Sequence, residues 1–175
     1  MRRRDFLSGL VGTTFSPARS RSQPHPSSQK RWNFLLITAD DLNWDSVGAF
    51  GSKVPNITPN IDRLAAEGVR FEHAHLTIAV CQPSRSVLMT GRFPHRNGAE
   101  GFQPIREDVP TLQEQLCRAG YRNGILGKET HLQPRWKFHW DYYITMEDLG
   151  MGRDPARYYF HTKRFLEDCR RAGTP

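Results

Sequence analysis

Three observations predict an α/β fold with a mainly parallel sheet. Short apolar runs of strand length alternate with segments of helical periodicity, the pattern of strand–helix–strand units. The polar groups best suited to chemistry, Asp40-Asp41 and Lys128, fall directly after two of those runs. Ligand sites of parallel sheets gather at such carboxyl ends. The composition, 37% hydrophobic and 11% aromatic over 175 residues, supplies enough apolar surface for one globular body.

Trp32 to Ala39 (WNFLLITA) reads as a buried strand of a parallel sheet, because the run is almost continuously apolar and meets acids at its end. Thr58-Pro59 supplies an N-cap and a first-turn proline. Ile61, Leu64 and Ala65 give one apolar helical face, and Gly68 stops it. Val69 to Phe71 reads as a further extended piece. Pro83 to Thr90 is predicted helical, with the proline in the first turn and Gly91 beyond the end. Thr111 and Glu114 form a capping box that opens a helix closed by Gly120. Tyr121 to Leu126 reads as a strand ending at Gly127-Lys128. Residues 141–152 read as loop, and 157–171 as a basic amphipathic helix.

The net charge of +7 is unevenly spread. Residues 1–31 carry seven Lys/Arg against Asp5 alone, a net of +6, which leaves 32–175 at +1. A nucleic-acid reader needs its charge as a patch on the folded body, so nucleic acid is not an expected partner. The opening string MRRRDFLSGLVGTTF places Arg3 and Arg4 before Asp5, Phe6 and Leu7, and so resembles a twin-arginine export signal. Its apolar run, Phe6 to Phe15, is too short to span a bilayer. Residues 1–31 are therefore expected to be signal and linker, with 32–175 as the body. The twin-arginine machinery is an expected partner, the location is periplasmic or extracellular, and no stable membrane span is expected. A basic disordered tail is the plainer reading of the same residues. Cys81, Cys117 and Cys169 form no disulfide framework. Pairing of Cys117 with Cys169 would leave Cys81 odd, and the sequence leaves that open.

Cys81 sits in AVCQPSRSVLMTGR, next to a predicted helix N-terminus, where unpaired amides and the helix dipole favour an anion. Arg85 follows within the first turn and brings a forked oxyanion donor. A small buried cysteine beside a surface arginine is the bland alternative. Asp40 and Asp41, turned to one point by a loop, would give an oxygen-only set suited to a hard cation. A solvated acidic loop is the bland alternative there. Lys128 would ordinarily be a surface lysine. His73 and His75 alternate and imitate a metal pair without a third ligand. They are set aside with His95, His139 and His161.

The string Cys81-x-Pro83-Ser84-Arg85, continued through Leu88, Met89, Thr90 and Gly91, resembles the signature of the formylglycine-dependent (type I) sulfatases of the alkaline phosphatase superfamily. Gln82 departs from the smaller residue usual there. The Asp-Asp pair about forty residues earlier and the later Gly127-Lys128 stand where such sulfatases have them. The histidine that follows is matched by His131, here with Glu129 and Thr130 between. The resemblance covers 32 to about 145 and looks most like the heparan N-sulfatase group. It implies an alkaline-phosphatase-like sandwich, a mainly parallel sheet between helices, of which this is an incomplete N-terminal part. It also implies conversion of Cys81 to formylglycine by a formylglycine-generating enzyme. Asp40, Asp41 and residue 81 would be ligands of Ca²⁺, with Mg²⁺ as the alternative. Arg85, Lys128 and His131 would serve the sulfate.

The implied reaction is hydrolysis of a sulfate ester or sulfamate, on a sulfated carbohydrate or another sulfate ester. One hydroxyl of the hydrated aldehyde attacks sulfur, and the second expels sulfate. A phosphonate or phosphodiester hydrolase of the same superfamily and an inactive metal- or glycan-binding fragment are the rival readings. The Asp-Asn pair, His and Lys that complete such sites have no match here. A truncated product with two of four protein metal ligands, an uncovered sheet edge and little turnover of its own is therefore expected.

Overall fold

The computed structural model describes residues 31–175, and the twin-arginine-like head and its linker, all but Arg31, lie outside the described residues. Helix α1 (Pro59–Glu67) has proline in its first turn and ends at Gly68. The expected Thr58 side-chain cap is not made, because its hydroxyl accepts from the Gly48 amide at 2.8 Å and donates to Asp62 Oδ1 at 2.9 Å, and Ile61 and Leu64 of the expected apolar face are exposed. Helix α2 (Cys81–Thr90) follows an extended Val80 and ends on Gly91 in the left-handed conformation. A short turn of helix, α3 (Pro94–Asn97), ends likewise on Gly98. Helix α4 (Leu112–Arg118) has the predicted capping box. The Thr111 side chain accepts from the Glu114 amide, and the Glu114 carboxylate accepts from the Thr111 amide at 2.7 Å.

Strands β1 (Gly124–Leu126) and β2 (Tyr142–Ile144) pair in parallel, with Gly124 opposite Tyr142 and Leu126 opposite Ile144. Helix α5 (Pro155–Ala172) starts on Asp154, whose side chain accepts from the Ala156 and Arg157 amides, and packs on β1. Gly124 is needed at that crossing: a Cβ there would stand 3.2 Å from the Phe165 ring. The core gathers Ala99, Ile105, Leu132 and Phe138, with Met89, Ile125 and Trp140 packed against it. Met89 therefore seats α2 on the same core that backs β1.

Parallel pairing and the order of helices agree with the predicted class, but four boundaries move. The 32–39 run is not a strand: it has no ladder, and Phe34 and Ile37 are 72% and 78% exposed. Apolar character selects a strand only where a neighbouring edge takes its backbone hydrogen bonds. The Phe34 ring lies 5.9 Å from that of Tyr121, three residues before β1, and among the described residues no strand edge meets the run. Val69 to Phe71 is irregular and exposed for the same reason. The 121–126 strand shortens to its last three residues. The expected loop at 141–152 contains β2, whose Tyr-Tyr-Ile is too short to show a period. No helix among the described residues is long and apolar enough to cross a membrane.

Candidate active site

Cys81 is the first residue of α2, one step further into the helix than the sequence alone suggests. Its amide belongs to the turn whose N–H groups lack intrahelical acceptors. Arg85 lies one turn on, so its side chain folds back: Nη1 donates to the Cys81 carbonyl at 3.1 Å. The other end of the guanidinium reaches the 40–41 loop, where Nη2 donates to Asp40 Oδ1 at 2.6 Å. Lys128 closes the group from the end of β1, its ammonium ion-paired with the second oxygen of Asp40.

Two of these residues hold unusual backbone. Asp41 and Lys128 take φ of 53° and 56°, left-handed values that a non-glycine residue adopts at a cost of roughly 1–2 kcal/mol. Gly127, before Lys128, is also left-handed, at φ 73°. The two positive turns reverse the chain at the carboxyl end of β1 and set Lys128 towards Asp40. Such strain, observed at both loops of one charged cluster, points to function.

Burial works against the Asp40 carboxylate, but hydrogen bonds and charge from Lys128 and Arg85 outweigh it and hold its pKa below the usual value. His131, on the short 3-10 turn 129–131 that follows Lys128, is shifted downward. Burial is the largest cause, and the positive charges of Lys128 and Arg85 add to it against Asp40 and Glu129. The ring is thus biased to its neutral form. Its Nδ1 and the Oε2 of the buried Glu129 are both enclosed without a hydrogen-bond partner. Sequence reading passed over Glu129, since a lone acid between Lys128 and His131 carries no signal of burial.

The structure brings Asp40, Arg85, Lys128 and the start of α2 together, with His131 in their field. It does not gather the five histidines set aside. His73, His75, His95 and His139 are exposed, and His161 Nδ1 lies 2.9 Å from the Tyr142 hydroxyl. All three thiols are free, Cys117 exposed and Cys169 buried, and burial pushes the Cys169 thiol upward. Among the described residues no three His, Cys, Asp or Glu side chains converge as a metal-holding group. The donors fit a hard divalent cation in kind, because carboxylate oxygens keep spare lone pairs beside Arg85 and Lys128. In number the described carboxylates are too few to fill a coordination shell by themselves.

A family model described as Sulfatase matches residues 32–168. Arylsulfatase G of Homo sapiens is 40% identical over 140 residues, which cover 71% of this chain and 26% of that protein. The N-acetylglucosamine-6-O-sulfatase of Bacteroides thetaiotaomicron is 32% identical over 139 residues, 78% of this chain and 25% of that one. A solved protein in complex with its substrate D-glucosamine-2-N,6-O-disulfate is 30% identical, with a TM-score of 0.53 over 59% of this chain and 21% of its own. The chain spans about a quarter of the length of the curated relatives it matches. These similarities do not single out the heparan N-sulfatase group.

Proposed function

This chain belongs to the sulfatase family and carries part of its alkaline-phosphatase-like fold, and we propose that it is the nucleophile-bearing portion of a hydrolase of sulfate esters or sulfamates on sulfated carbohydrate. The observation that carries this reading is the convergence of Arg85 and Lys128 on Asp40 beside the first turn of α2, where Cys81 stands. Two relatives bear on the substrate class: one is named for a 6-O-sulfated amino sugar, and one is solved with a glucosamine N,6-O-disulfate. The head that resembles a twin-arginine signal is the basis for proposing export.

Formylglycine at position 81 and a divalent cation held by Asp40, Asp41 and residue 81 would supply a nucleophile and local positive charge at the sulfate. The chain's own groups then have separable tasks. Arg85 fixes the backbone of residue 81 through its carbonyl and holds Asp40 in place. Lys128, on its left-handed turn, has the compact charge that grips a sulfate oxygen. The lowered pKa of His131 favours its neutral ring, so it is suited to accept a proton from an attacking hydroxyl.

The test begins with co-expression of the chain with a formylglycine-generating enzyme and mass analysis of the peptide containing residue 81. Exchange of thiol for aldehyde is expected, together with binding of inorganic sulfate that Arg85→Ala abolishes. An unmodified Cys81 and no sulfate affinity would sink the reading.

A further inference from the structure

Gln82, the residue after Cys81, differs from the small residue usual in this signature, and it is not idle. It is 7% exposed, and its Nε2 donates to the Phe102 carbonyl at 2.7 Å, with a longer approach of 3.4 Å to the Gln103 carbonyl. A shorter side chain on the same turn of α2 has no amide to send there. The segment it holds is fixed at other points. Its ends are joined by the Arg106 amide donating to the Asn97 carbonyl at 2.8 Å, and the Ile105 amide donates to the Gln133 carbonyl at 2.9 Å. Ala99 and Ile105 are buried at its two flanks, and the Gly101 amide donates to Gln103 Oε1 at 2.7 Å across its tip.

The result is a pinned loop whose tip carries an aromatic into solvent: Phe102 is 67% exposed. A loop held by buried anchors on both flanks and by the neighbour of the reacting residue keeps its tip in fixed register with that residue. Binding groups on loops act when a rigid scaffold fixes them in this way. Of the sugar and the sulfate, the sugar is what a phenyl ring can recognise. Axial C–H groups make one face of a pyranose apolar and slightly positive, complementary to the negative face of an aromatic ring.

Resting on the sulfatase reading above, we propose that Gln82 is a positioning residue that locks the 101–104 loop to the start of α2, and that Phe102 on this loop is the platform for the sugar ring that carries the sulfate. The sulfate itself is left to Arg85 and Lys128, so the two halves of the substrate are read by separate groups.

Calorimetric titration of the full chain with D-glucosamine-2-N,6-O-disulfate and, separately, with inorganic sulfate tests this. Phe102→Ala is expected to weaken the disulfated sugar roughly three- to tenfold and to leave sulfate affinity unchanged. Phe102→Tyr should restore sugar binding. Gln82→Glu keeps the shape and removes the donor, so it should reproduce the Phe102→Ala loss and raise hydrogen exchange at the Gly101 amide. Sugar affinity that is indifferent to both substitutions, while sulfate still binds, overturns the proposal. Absence of sulfate binding to the unsubstituted chain overturns instead the functional reading beneath it. If Gln82→Glu does not fold, the Phe102 pair decides alone.

Discussion

Asp40 holds Arg85 and Lys128 on its two carboxylate oxygens, Arg85 at 2.6 Å on Oδ1 and Lys128 on Oδ2. One acid from an irregular loop thereby joins a helix start to the end of a strand, across 45 residues of sequence on one side. The Arg85 side chain is only 12% exposed, so its charge depends on this partner.

Asp40→Asn should therefore destabilise the chain by about 1–3 kcal/mol, because it removes a charged acceptor and leaves two cations facing each other. Urea unfolding monitored by tryptophan fluorescence measures it. Arg85→Lys tests the same point from the other side. It keeps the charge and loses the fork that spans Cys81 and Asp40, so it should recover only part of the stability lost in Arg85→Ala.

His131 makes stability depend on pH. Its folded pKa lies below the ordinary 6.5, so the unfolded chain binds the proton more readily. The contribution is fully present above the unfolded value and is lost as pH falls from there towards the folded value. His131→Gln should flatten the change in unfolding midpoint between about pH 7.5 and pH 5.5, the window set by that unfolded value. A slope equal to that of the unsubstituted chain would refute the assignment.

Asn97 is fully buried and serves three groups. Its Nδ2 donates to Thr90 Oγ1 at 3.3 Å and to the Arg92 carbonyl at 3.2 Å, and its Oδ1 accepts from the Ala99 amide at 2.8 Å. It ties the end of α2 to the start of the Phe102 loop. Asn97→Ala strands those partners and should cost about 2–3 kcal/mol, and Asn97→Asp should also destabilise, because an acceptor replaces the donor. Thermal unfolding of both variants checks this.

Gly91 ends α2 at φ 63°, and a Cβ there would meet nothing within 4 Å. Gly91→Ala is then a measure of conformation alone, expected to cost about 1–2 kcal/mol. A neutral result by chemical denaturation would mean that α2 ends differently in solution.

The local features of this chain were legible in its residues. Pro59 and Gly68 bound α1, Thr111 and Glu114 form their reciprocal cap, and Gly91 stops α2, because each acts through backbone groups only a few residues away. The Cys-x-Pro-Ser-Arg string was legible as a resemblance to the family signature, and its residues lie together on the first turns of α2. Tertiary structure alone decided the rest. The apolar run 32–39 has strand composition but no strand ladder, since ladder partners come from elsewhere in a chain. Residues 142–144 do form a strand, because β1 offers an edge that their own three residues cannot announce. The bridging of Arg85 and Lys128 by Asp40, the burial of Glu129 beside His131, and the reach of Gln82 to Phe102 are all contacts between distant segments. Sequence determines which side chains are available and how each turn of backbone starts and stops. Which of them meet is set by packing, because hydrogen bonds, ion pairs and burial depend on positions in space.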